Sequence, residues 1–248
     1  MTAGAPIPPP APPRAIKGRD VFLTIGFAVL LFFAGSLVAM QVVRPDAMLG
    51  PHRQFVVLLQ LALMAFAMLG AVYLVPIRRS GLSWRDLGYV ACDPRWIKRA
   101  LLMAFVLVPA LLAFGYFFRQ VMPKTGTPDI VAMIAPAGFS WIVAATIILY
   151  AGFLTPIAEE IFFRGLIYGW LRRHMGATGA AVLAAAGFAI LHQRIEAVIA
   201  AFFTGLILTW FYEKSGSLLP SIALHQAINA TQLVLVYLSV GMAPAPAA

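Results

Sequence analysis

A chain of 248 residues that is 62% hydrophobic and only 11% charged, with a mean hydropathy of +0.90, carries more apolar surface than its own folding can hide from water. That excludes an ordinary soluble domain and implies a polytopic membrane protein embedded in the lipid bilayer. The formal net charge of +9 rests on cations that flank apolar segments, with no stripe of interleaved aromatics, so anionic lipid head groups and not nucleic acid are the implied partner.

In lipid, backbone amides must be paired inside helices or closed barrels, and no segment alternates over the roughly ten positions a barrel strand needs. The expected fold class is therefore all-α, a transmembrane helix bundle. Residues 1–20 hold Pro6, Pro8, Pro9, Pro10, Pro12 and Pro13, which lack amide donors and break helices, so this stretch reads as a disordered Pro/Ala-rich tail. Arg14, Lys17 and Arg19 ahead of Val21 imitate a signal peptide, but the apolar run outlasts an h-region and shows no clear cleavage site; an uncleaved first span over 21–43 is expected.

Further spans are expected near 55–75, 99–118, 140–154, 157–171, 177–191, 197–212 and 218–240, giving seven or eight helices and a short flexible tail at 241–248. The count turns on Pro156, which either separates two short helices or kinks one long one. Arg78, Arg79, Arg85, Arg95, Lys98 and Arg99 crowd one connection, which the positive-inside rule assigns to the cytoplasm together with the N-terminus. Cys92 is the sole cysteine, so no intramolecular disulfide is possible.

Ionisable groups on apolar helices are costly and mark function. Glu160 precedes Arg164 by four residues, the favourable order for an ion pair on one helix face, which leaves the adjacent Glu159 free. A free carboxylate in a partly dry cavity suits the general base that activates water. An alternative is that both acids only neutralise Arg164 and Arg172 at an interface. Phe188 lies one turn before His192, close enough to fix the imidazole's orientation, and a hairpin reversing near Met175 and Gly176 would set His192 opposite Glu159. His225 and Asn229 share one side of a helix that Pro220 opens; their donors suit an oxyanion hole or, more plainly, an interhelical hydrogen bond.

Taken together, Glu159-Glu160 with Arg164, Phe188 with His192, and His225 with Asn229 resemble the CAAX-processing and bacteriocin-processing family of intramembrane proteases, with no departure at any motif position. Pro156-Ile157-Ala158, Phe163-Arg164-Gly165, Gly216-Ser217-Leu218 and Pro220 are similar to that family's usual surroundings, and Trp84-Arg85-Asp86-Leu87-Gly88 to a pattern often seen ahead of its core. The resemblance covers about residues 140–240, which divides the chain into N-terminal helices over 21–139 and a protease core.

The resemblance implies hydrolysis of a peptide bond in a membrane-associated or lipidated peptide or protein. Glu159 and His192 would activate water, and His225 and Asn229 would steady the oxyanion; Glu160, Arg164 and Phe188 would support them. Family members have been described as metal-dependent and as glutamate-type. Zinc could draw on Glu159, Glu160, His192 and His225, but the helical His-Glu-x-x-His signature is absent and a metal-free water is favoured. An Ala- and Pro-rich composition hints at a bacterial inner membrane. The competing class is a non-catalytic membrane protein, either a proton-coupled carrier or an immunity or scaffold protein.

Overall fold

In a computed structural model of the chain, residues 15–42, 53–122, 131, 134, 139–192 and 194–242 are described. They form an all-helical bundle of α1 (Gly18–Val42), α2 (Arg53–Arg79), α3 (Pro94–Val121), α4 (Trp141–His174), α5 (Ala177–Ala189), α6 (Ile195–Ser215) and α7 (Leu218–Gly241). Of these, α1, α2, α3, α4 and α6 are long and apolar enough to cross a membrane. In α7, His225, Gln226, Asn229 and Gln232 dilute the hydropathy. Outward-facing Phe22, Phe66, Phe105 and Ile142 lie bare, as side chains with a lipid solvent do.

Two expectations need correction. Helix α1 begins at Gly18, inside the stretch read as a 1–20 tail, and Asp20 is buried in its first turn. The last proline of the run is Pro13, so amides beyond it are free to pair, as Asp20 N–H does with Lys17 O at 2.9 Å. Residues 1–14 and 243–248, the rest of the two expected tails, lie outside the described residues. The other correction concerns α5, which stops at Ala189 and not at residue 191; Ile190 and Leu191 form a turn.

At Pro156 the chain takes the kinked-helix form, and α4 is one helix of 34 residues. Its winding changes along its length: π-helical stretches at Ile148–Leu154 and Ile161–Tyr168 flank an α-helical segment, Thr155–Glu160. Pro156 sits in the first turn of that segment and brings no amide to the carbonyls of the π-helical stretch before it. The wider π winding just before it frees backbone carbonyls that an α-helix would have used.

Helix α7 is the axis of the site, packing on α3, α4 and α6, while α5 pairs with α6 and α1 with α2. Gly152 of α4 lets the two backbones close, since a Cβ there would stand 3.2 Å from the Cα of Ala230. The Trp84–Gly88 connection docks on the same core. Leu87 is fully buried, a Cβ on Gly165 would fall 2.8 Å from its carbonyl oxygen, and Gly88, at φ +84°, accepts a 2.9 Å bond from Leu218 N–H.

Candidate active site

Segment Thr155–Glu160 presents Glu159 and Glu160 to α7, and both are buried. Arg164 Nη1 donates to Glu160 Oε1 at 2.7 Å, the geometry their four-residue spacing predicts. The guanidinium is enclosed: Nη2 donates to Gly205 O at 3.3 Å, and its carbon lies 4.6 Å from the centre of the Phe188 ring. Gly205 has to be small, because a Cβ there would meet Ala185 Cβ at 3.1 Å and Arg164 Nη2 at 3.3 Å.

His225 joins the same cluster from α7. Its Nδ1 lies 2.8 Å from Glu160 Oε1 and its Nε2 lies 3.6 Å from Glu159 Oε2. Glu160, paired with Arg164, is a carboxylate whose oxygen can only accept, so His225 Nδ1 carries a proton and donates. With the proton on Nδ1, His225 turns Nε2 toward Glu159, as an acceptor while the ring is neutral and as a donor when it is charged. The two glutamates thus differ. One is spent on holding Arg164 and His225; the other faces a ring nitrogen across a gap longer than a hydrogen bond.

Phe188 organises the aromatic side of the site. Its ring meets His192 edge-on at 5.2 Å between centroids, His225 at 5.6 Å and Phe163 at 5.4 Å. His192 is half-buried, and its Nδ1 is enclosed with no hydrogen-bond partner among the described residues. The ring nitrogen facing Glu159 is that of His225, and His192 meets the same Phe188 ring as His225 does. His192 lies beyond the end of α5, in a turn where its N–H bonds Ala189 O at 3.0 Å.

Asn229 lies one turn past His225, and its Nδ2 donates to Ala151 O at 3.2 Å, a carbonyl of the π-helical stretch. Gln226 does the same for Phe153 O at 3.1 Å. Sequence reading gave Gln226 no part. Its only signal was a third amide or imidazole on one helix already carrying His225 and Asn229.

Three metal ligands do not converge. Among the described residues no group of three His, Cys, Asp or Glu side chains is arranged to hold a metal ion. The nearest approach to one, Glu159, Glu160 and His225, has Glu160 Oε1 and His225 Nδ1 bonded to each other, with Arg164 on the same oxygen. These residues do not fit a three-ligand zinc centre.

Residues 140–231 match the family model described as type II CAAX prenyl endopeptidase Rce1-like, a stretch that takes in every residue of the cluster from Glu159 to Asn229. The likeness to the Rce1-like family covers less than half of the chain. No curated protein and no solved structure matches the chain. At the level of family, this likeness supports a CAAX-type intramembrane protease, and the five long apolar helices fit an integral membrane protein acting at the lipid bilayer. Residues 18–121, with α1 to α3, fall outside the matched region.

Proposed function

We propose that the Rce1-like core hydrolyses a peptide bond of a lipidated or membrane-associated peptide with water activated by Glu159. The observation that carries this reading is the asymmetry of the acid pair. Glu160 is committed to Arg164 and to His225 Nδ1, whereas Glu159 is buried beside a ring nitrogen with no cation of its own on the helix. In the proposed reaction Glu159 takes a proton as the water oxygen adds to the scissile carbonyl carbon. The C–N bond then breaks, and Glu159 returns the proton to the leaving amine.

His192 serves the same water from the Phe188 side, and His225 with Asn229 faces the developing oxyanion. For His225 that role requires a proton on Nε2, hence the imidazolium, because Nδ1 already donates to Glu160. Asn229 has a second amide hydrogen to offer beyond the one given to Ala151 O. The scheme uses no metal. The basic connection near Arg78 and Arg95 is assigned to the cytoplasmic face of a bacterial inner membrane.

The test is cleavage of a farnesylated peptide ending in Cys-aliphatic-aliphatic-X by protein reconstituted in liposomes, with Glu159→Gln in parallel. Release of the C-terminal tripeptide by the native chain and not by Glu159→Gln is the expected result. Equal release by both would remove Glu159 from the reaction.

A further inference from the structure

One buried polar group, four residues before Glu159 on α4, has no task in this scheme. Thr155 is buried, and its Oγ1 has no hydrogen-bond partner among the described residues. Buried hydroxyls in helices ordinarily bond back to the carbonyl four residues earlier. Three other threonines here do so: Thr24 to Asp20 O at 2.6 Å, Thr146 to Ile142 O at 2.7 Å and Thr209 to Gly205 O at 2.8 Å.

For Thr155 that acceptor would be Ala151 O, and the bond is not made. The π winding sends Thr155 N–H to Tyr150 O, and the carbonyl of Ala151 receives Asn229 Nδ2. The direction of the Thr155 side chain follows from its neighbour within the same α-helical segment. Glu159, four residues on, faces His225 of α7, so Thr155 stands on the α4 face turned to α7, one turn from the proposed base.

We propose that the Thr155 hydroxyl is a substrate-contacting hydrogen-bond donor that, beside Asn229, holds the scissile carbonyl oxygen as charge develops on it. This rests on the proposed role of Glu159. An unpaired buried hydroxyl carries a standing cost in the free protein, and a peptide carbonyl bound there removes it. The arrangement is that of a preorganised donor, left without an internal partner so that the reacting oxygen becomes its partner.

Thr155→Val keeps the shape and deletes the hydroxyl, while Thr155→Ser keeps the hydroxyl. Both are compared with the native chain and Glu159→Gln on the farnesylated peptide, together with thermal melting in detergent. The expected outcome for Thr155→Val is a melting temperature at or above native, kcat lower by about 10- to 100-fold and KM nearly unchanged, with Thr155→Ser recovering most of kcat. Native kcat in Thr155→Val, with Glu159→Gln inactive, would overturn this inference alone. A lower melting temperature in Thr155→Val would also overturn it, by showing that the hydroxyl is paired within the fold. Equal cleavage by native and Glu159→Gln protein would defeat the reading of Glu159, and this inference with it.

Discussion

Helices α4 and α6 both span the bundle, yet they are built differently. Helix α6 is α-helical from Ile195 to Ser215, its Thr209 bonds back to its own backbone, and it ends on a left-handed glycine, Gly216 at φ +67°. Helix α4 is interrupted twice by π-helical winding, and its carbonyls at Ala151 and Phe153 accept from side-chain amides of α7. A regular helix needs only lipid and a packing partner. A distorted one in lipid needs donors from a neighbour, because no water is present to satisfy it. In this protein Asn229 and Gln226 supply them, and the distortion they hold is the one that sets Glu159 and Glu160 against His225.

The largest effects break α4 at its ion pair. Removing either partner of a fully buried pair leaves a lone charge, so Glu160→Gln and Arg164→Met should each cost about 3–5 kcal/mol of stability, read from denaturation in detergent. The corresponding change in α6, Thr209→Val, loses one neutral back-bond and should cost only about 1 kcal/mol. If the two classes of variant melt alike, the contrast between the helices has no energetic basis.

Next comes Asn229→Ala, which strips Ala151 O of its donor and also removes an amide from the proposed oxyanion site. It should lower kcat by roughly 10²- to 10³-fold and stability by about 1–3 kcal/mol. A change confined to KM would assign Asn229 to substrate binding or packing alone. Gln226→Ala, whose bond to Phe153 O lies at the exposed surface of the bundle, should cost no more than about 1 kcal/mol and leave kcat within a few-fold of native. The smallest expected effect is that of chelation: after prolonged treatment and metal analysis, protein with negligible zinc should keep its activity. Loss of turnover restored by zinc would bring a metal into the mechanism despite the side-chain geometry.

Much of this architecture is legible without coordinates, and the exceptions have physical reasons. Apolar run lengths define the bundle, and the four-residue spacing of Glu160 and Arg164 announces their pair. Pro156 signals a break without saying whether the chain ends a helix there or rewinds it, since that choice depends on whether a neighbour can satisfy the carbonyls released. The neighbour is α7, far off in sequence. The same dependence hides the unpartnered hydroxyl of Thr155 and the use of Asn229 on Ala151. The approach of His225 to Glu159 is hidden because it depends on how α7 packs on α4, and helical counting cannot place His192 because α5 gives way to a turn after Ala189. The docking of Leu87 on Gly165 has only Trp84-Arg85-Asp86-Leu87-Gly88 as its trace, a pattern whose partner surface becomes visible only in three dimensions.

The central claim is a division of labour between adjacent acids, with Glu159 reacting and Glu160 holding Arg164 and His225 in place. A double-mutant cycle over Glu160→Gln, Arg164→Met and the pair, with melting and cleavage measured for each variant and for Glu159→Gln with and without Arg164→Met, tests it most directly. The account predicts that Glu160→Gln and Arg164→Met are strongly non-additive in melting, the double variant recovering much of the fold. It also predicts that Glu159→Gln stays folded, loses at least about 100-fold in activity and gains nothing from any change at Arg164. Additive melting losses, or activity returned to Glu159→Gln by Arg164→Met, would contradict it.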